Sequence, residues 1–286
     1  MLYLNIVIAG LLTGAVYGLM ALGLSVIFGV TRIVNFAHGE MMVLGMYAAY
    51  VVNLRFGLDP LWALPVIAAL LFLLGYGLQY RLINRYIARP EHEQFLLLLA
   101  IAILITATLL MVFGPDARNV QLDYAYDSYQ IGAVLLDKVR VLAAVGAVAG
   151  AGALWGFFRL TRTGKAIRAC ADNQIGAQVV GLDVKRLYAI TFGLGAACVG
   201  SSGCLLLLLV DVQPYIASDY TLLAFIIVIL GGLGSMPGAL FGGLLVGVSE
   251  ALSGFVVAPS FKSAFSFALL ILVLLIRPQG LLGRKA

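Results

Sequence analysis

The chain has 286 residues, 63% of them hydrophobic and 11% charged, with a formal net charge of +5. A soluble domain carries about 25% charged residues, so this composition excludes a solvated globular surface and fits a bilayer, where apolar groups belong outside as well as inside. The cations do not indicate nucleic acid, because they sit in short connections between apolar runs, where they set topology.

A membrane-crossing helix needs about 20 apolar residues. The first run, 6–30, is long enough, and no basic residue precedes it, so it reads as a retained helix rather than a cleaved leader. Gly10, Gly14 and Gly18 recur every four residues along one of its faces. Such a stripe lets another helix approach closely, either within this chain or across a subunit interface. The second span, 33–54, is abnormal. After Arg32 its uninterrupted apolar run covers only 41–52, so the crossing must include the sequence NFAHGE at 35–40. Polar groups at that depth must face protein or water. Two readings of His38 and Glu40 stand here. They bond to one another or to backbone freed by a broken helix, or they line or gate a path. A metal site is not indicated, since no further ligand group lies nearby in sequence.

Spans follow at 60–80, 95–113, 139–158, 188–210, 220–234, 238–257 and 263–276, which predicts an all-α, polytopic membrane protein of about eight to nine helices in one domain, 1–286. The connections 81–94 and 159–187 and the tail from Arg277, with Arg32, carry most of the cations. Connection 114–138 and the other linkers carry most of the acids. Cations favour the cytoplasmic side, so the N-terminus is expected outside and the C-terminus inside. Nine crossings satisfy that arrangement.

The long connection, 161–186, reads TRTGKAIRACADNQIGAQVVGLDVKR. A short helix is expected from Thr163 and Gly164 onward and a second over 174–180, ending at Gly181. Lys165 and Arg168 are its cations, and Ala166, Ile167 and Ala169 are small or apolar. A solvated loop held against lipid headgroups is the plainer reading. A second broken span appears at 222–230, followed by GGLGSMPG at 231–238. Interrupted segments in the two halves of a transporter point to its pathway, so NFAHGE and GGLGSMPG are expected to lie near one another. Glu250 is the remaining acid within a span and reads equally as path lining or as a helix-to-helix bond. Cys198 and Cys204 lie in an apolar run and behave as packing residues; with Cys170 they form no disulfide or metal pattern.

NFAHGE, TGKAIRACADNQIGAQVVGLDVKR, VILGGLGSMPGALFGGLLVG and LIRPQGLLG occur in this order. Together they resemble the LivH-type permease of the branched-chain amino acid ABC transporter family, over nearly the whole chain. The resemblance implies a non-catalytic permease subunit in a bacterial inner membrane. It implies a LivM-type second permease, two cytoplasmic ATPase subunits that bind ATP and Mg, and a periplasmic substrate-binding protein. No G-x-x-x-x-G-K-[ST] phosphate loop is present, so nucleotide is not bound here in that mode. The connection 159–187 then becomes the expected coupling element. Thr163, Gly164, Lys165, Ala166, Ile167, Arg168 and Ala169 are its candidate contacts, with Ile167 and the alanines filling an ATPase groove and the cations at its rim. Asn35, His38, Glu40 and Glu250 are the candidate path or gate residues. Related permeases serve urea, short amides and aromatic carboxylates, so the cargo stays open. An ion-coupled secondary transporter using His38, Glu40 or Glu250 is the rival of another class.

Overall fold

The computed structural model describes residues 2–87, 89–131, 134–258 and 261–283. Nine long helices occur among them: α1 (Leu2–Thr31), α2 (His38–Phe56), α3 (Pro60–Arg81), α4 (Glu91–Phe113), α5 (Lys138–Leu160), α8 (Val184–Leu206), α9 (Ala217–Gly231), α10 (Met236–Val256) and α11 (Lys262–Ile276). Two short helices, α6 (Arg162–Asp172) and α7 (Gln174–Val179), fill the long basic connection. Among the described residues, seven helices are long and apolar enough to cross a bilayer by length and composition, α9 being counted together with the preceding 3-10 turn Pro214–Ile216. Of the other two, α2 opens on a polar turn, and α11 is apolar but has 15 residues.

Local chemistry explains where the helices start. Asp59, Asp137, Thr161, Asn173, Asp183 and Ser235 each accept a backbone N–H from the first turn of the helix they precede. Such caps satisfy donors that have no partner within the helix. Pro60 and Pro237 stand in first turns, where a missing N–H costs nothing.

The glycine stripe of α1 is used inside the chain. A Cβ at Gly10 would meet the Gly247 carbonyl and Val248 Cα at 2.8 Å, and one at Gly14 would meet the Gly243 carbonyl at 2.7 Å. Gly18 faces Leu240, so α1 and α10 run antiparallel at close range. Close approach of this kind, without side chains between, is how helices gain dispersion contact in lipid. Most of α8 is buried, and it packs against α1, α2 and α3 as the central helix.

The connections sort to two ends of the bundle. At one end Arg118 pairs with Val212 through two backbone hydrogen bonds, and the Tyr124 hydroxyl donates to Asp59. At the other, Asn84 donates to the Lys185 carbonyl, Gly29 faces Gly234, and the 277–283 tail lies on the α9–α10 turn. The second end holds 82–87, α6, α7 and the tail, the basic set expected to share one side. Arg284 and Lys285, counted with it, lie outside the described residues.

The connection 114–138 carries a short ribbon: β1 (Ser128–Ile131) and β2 (Val134–Asp137) pair antiparallel, with Ser128 opposite Asp137 and Tyr129 opposite Leu136. One expectation needs correction. The stretch 231–238 is not a break within one span. It is the turn between α9 and α10, and α10 begins at Met236.

Candidate translocation site

The break at 32–37 is a re-entry. α1 ends at Thr31, yet the His38 ring at the start of α2 lies against the carbonyl of Met20, 3.0 Å away. Met20 is eleven residues before Thr31, about 16 Å back along the helix. Six residues of extended chain reach about 20 Å, so 32–37 runs back along α1 and α2 starts at depth. Arg32 turns the chain with a left-handed φ of 58°. Asn35 then shapes the loop: its Oδ1 accepts from Ala37 N at 3.1 Å, a local turn that short polar side chains favour. Phe36 anchors it, edge-on to Phe95 at 4.6 Å and tilted on Phe225 at 5.1 Å.

The start of α2 meets the start of α9. A Cβ on Gly39 would collide with the carbonyl of Ala217 and the hydroxyl of Thr221, so the contact requires glycine. Gly39 N donates to Thr221 Oγ1 at 2.9 Å, and Thr221 Oγ1 donates to Glu40 Oε2 at 3.4 Å. The threonine hydroxyl is thus spent in both directions, tying backbone to carboxylate across two helices. His38 Nε2 must carry the proton it donates to Met20, which leaves Nδ1 an acceptor; that atom is buried without a protein partner. Asn35, His38, Glu40 and Thr221 are all buried in an otherwise apolar surround.

Glu250 joins this junction at one remove. Its Oε1 accepts from Ser266 Oγ of α11 at 3.3 Å, and Tyr17 of α1 turns its hydroxyl to the same carboxylate. Tyr17 stacks edge-on to Tyr220, with centroids 6.4 Å apart. Consecutive residues of α9, Tyr220 and Thr221, therefore face the two acids. The structure brings Asn35, His38 and Glu40 together and links Glu250 to them through α9. His38 and Glu40 do not bond to each other: His38 meets the Met20 carbonyl of α1, while the Glu40 carboxylate takes the Thr221 hydroxyl of α9 and its own backbone N–H, a donor left free at the start of α2. Thr221, Tyr220 and Tyr17 complete the cluster. The signal for the first two was the polar sequence SDYT opening an apolar helix, whereas Tyr17 carried none.

GGLGSMPG does not lie beside NFAHGE's polar end. It sits at the opposite end of α9, where Leu281 N and Leu282 N of the tail donate to the carbonyls of Leu230 and Gly231 at 2.8 and 3.0 Å. Those carbonyls belong to the last turn of α9 and would otherwise lack partners. Gly232 (φ 105°), Gly234 (φ 79°) and Gly280 (φ 78°) supply the left-handed backbone, and a Cβ on Gly232 would meet Gly283 N at 2.5 Å.

At the basic end α6 is amphipathic. Gly164 is buried against Phe157 and Phe158, and Ile167 and Cys170 are also buried. Ile167 is therefore not free to fill a partner's groove, contrary to expectation. Lys165, Arg168 and Ala169 are exposed, and Thr163 and Ala166 are half-buried. Burial also pushes the Cys170 thiol pKa up. The exposed apolar surface is instead on and after α7, where Ile175, Val179 and Val180 are 75, 82 and 75% exposed. At the acid-rich end, burial and the bond to Asp59 hold the Tyr124 hydroxyl above its usual pKa.

Among the described residues no group of three His, Cys, Asp or Glu side chains is arranged to hold a metal ion.

The family model described as branched-chain amino acid transport system / permease component matches residues 6–274. The high-affinity branched-chain amino acid transport system permease protein LivH of Salmonella typhimurium is 34% identical, over 96% of this chain and 94% of its own. BraD of Pseudomonas aeruginosa, a permease protein of the same description, is 32% identical over 99% of this chain and 96% of its own. LivM of Escherichia coli K12 is 27% identical over 93% of this chain and 68% of its own.

Proposed function

The chain belongs to the family of branched-chain amino acid transport permeases, and on that premise we propose that it imports branched-chain or related hydrophobic amino acids as one permease of an ATP-driven complex. It is a multi-pass membrane protein and an ABC importer permease subunit. The observation that carries the cargo is the similarity, over nearly the full length, to permeases named for branched-chain amino acids. The apolar bundle agrees with it, since a hydrophobic side chain passing through needs few polar contacts.

In this reading α2 and α11 also cross, giving nine spans with the basic end in the cytoplasm of a bacterial cell and the N-terminus outside. A LivM-type permease supplies the second half of the path. Two cytoplasmic ATPase subunits bind ATP and Mg, and a periplasmic binding protein delivers the cargo. The junction of α2 and α9 is the gate. Asn35 and His38 fix the start of α2, Glu40 and Thr221 form the bond that opens and closes, and Glu250 with Tyr17 and Tyr220 holds the neighbouring helices. These groups are not strong ligands of the cargo, because an importer must release what it carries.

Coupling enters through α6 and α7. Lys165, Arg168 and Ala169 of the exposed face meet the ATPase, with the apolar knob of α7 beside them, while Gly164 and Ile167 anchor α6 to the end of α5. Thr163 and Ala166 lie between those two surfaces. A rigid element with two arrangements carries displacement to the spans α5 and α8 that flank it.

The test is to co-express the chain with the second permease and both ATPases, reconstitute the complex, and measure leucine uptake and ATP hydrolysis with loaded binding protein. Stimulated hydrolysis and uptake of leucine, with Ala169→Glu lowering both or uncoupling them, is the expected result. Uptake that persists without the ATPases and follows an ion gradient would refute the reading.

A further inference from the structure

The bundle carries an apolar groove of about 400 Å³ on its outer surface, between α1, α5 and α10. Leu22, Ala151, Trp155, Pro237, Leu240 and Phe241 line it, and its walls are almost wholly apolar. Its depth is fixed by the helices that form it. Pro237 stands in the first turn of α10 and Trp155 lies five residues before the end of α5, both at the basic end. Trp155 is half exposed, and the guanidinium of Arg159 lies over its ring, 4.9 Å from the centroid. Arg159 is exposed and has no acidic partner among the described ion pairs.

A smaller groove of about 130 Å³ on the other side of α1 repeats the plan. Leu24, Phe28, Val34 and Leu233 line it, and Arg32 lies over the Phe28 ring at 6.0 Å. In both places an apolar trough ends at an aromatic ring with an arginine four residues further along the chain, Arg159 within α5 and Arg32 just past the end of α1. Tryptophan and tyrosine rings mark the membrane–water boundary, which singles out the groove that ends at Trp155. A cation just beyond that boundary attracts anionic headgroups.

We propose that the groove between α1, α5 and α10 is a binding site for an anionic phospholipid of the leaflet at the basic end, with one acyl chain in the trough and the phosphate on Arg159. Size and lining fit an acyl chain, and the unpaired guanidinium supplies charge complementarity that a neutral lipid does not use. The ring of Trp155 sits where chain and headgroup meet. Arg159 lies one residue before the end of α5 and two before Thr161, which caps α6. The lipid therefore binds at the joint where α5 hands over to the coupling connection.

The chain holds two tryptophans, Trp62 and Trp155. Trp62→Phe leaves Trp155 as a local reporter in the full-length chain reconstituted into phosphatidylcholine vesicles. Quenching of its fluorescence is then titrated with brominated phosphatidylglycerol and, separately, with brominated phosphatidylcholine. The expected result is a roughly fivefold preference for phosphatidylglycerol, the weight of one cation near a membrane surface. Arg159→Gln should remove that preference, and Arg159→Lys should keep most of it. Equal quenching by the two lipids in the parent overturns the proposal. So does a preference unchanged in Arg159→Gln. Absence of quenching by either lipid also overturns it, since that would show the groove covered by protein. None of these readouts depends on transport or on its cargo.

Discussion

The two ends of α9 look alike in sequence, each a polar or glycine-rich interruption of an apolar run, and they are built on different principles. At Ala217 the helix meets NFAHGE, and the contact is made by side chains: Thr221 bonds Gly39 and Glu40, and His38 bonds Met20. At Gly231 it meets the tail, and the contact is made by backbone: Leu281 and Leu282 donate to Leu230 and Gly231 among glycines. A side-chain junction has rotamers and protons to change, so it suits a part that opens. A backbone clasp has neither, and satisfies the end of a helix that must stay put. The difference teaches that an interrupted span is a weak indicator of a path until its partners are known.

The largest expected effect comes from removing the glycine on which the side-chain junction depends. Gly39→Val would drive branched carbons into the Ala217 carbonyl and Thr221. Overpacking against backbone should cost about 3 kcal/mol or more, and size-exclusion of the detergent-extracted chain should show little monodisperse protein. A normal yield would mean that the two helix starts are not in contact.

Thr221→Val comes next. It removes the hydroxyl, leaving Gly39 N unpaired and Glu40 with its own backbone N–H alone, at about 1–3 kcal/mol for an unpaired buried group. The variant should assemble, melt lower, and import at a reduced rate in the reconstituted complex; Thr221→Ser should restore most of both. Equal behaviour of the valine and serine variants would show the hydroxyl to be idle.

Deleting the tail after Arg277 should have a smaller effect. Two backbone hydrogen bonds on the last turn of α9 are lost, each worth about 1 kcal/mol net. The melting temperature should fall by a few degrees, with uptake per assembled complex nearly unchanged. Loss of uptake at full assembly would make the clasp a working part and erase the contrast between the two ends.

The smallest perturbation reads only exposure. On α6, Cys170 is buried and its thiol pKa is raised by that burial, which lowers the thiolate fraction that reacts. Maleimide should label Cys170 slowly and Ala169→Cys rapidly from the basic end, with stability unaltered. The reverse order would turn α6 over and return Ile167 to a partner-facing position.

Much of this was legible in the sequence. Length and hydropathy marked eight of the nine long helices to within about four residues at each end, because the cost of unpaired backbone in lipid favours long apolar helices. The abnormality of the second span was legible through NFAHGE, although the helix placed at 33–54 starts only at His38; two helices in 161–186 were legible as well, the second through its closing Gly181. What the polar residues bond to was not. The partner of His38 is a backbone carbonyl eighteen positions earlier, and carbonyls leave no trace in side-chain pattern. The inward face of α6 repeats at Gly164, Ile167 and Cys170, a period that signals burial without saying whether lipid, a partner or the chain itself covers it. The ribbon 128–137 was hidden because four-residue strands are too short for alternation to stand out.

The measurement that tests the gate most directly is a reversible lock. In a background with Cys170, Cys198 and Cys204 replaced, Glu40→Cys and Thr221→Cys place two thiols where the structure puts two bonded side chains. Leucine uptake by the reconstituted importer is measured after oxidation and again after reduction. The account predicts that the oxidised complex stays assembled but stops importing, and that reduction restores uptake. Import at the full rate by a quantitatively cross-linked complex would contradict it, and the α2–α9 junction would then be a fixed part of the scaffold.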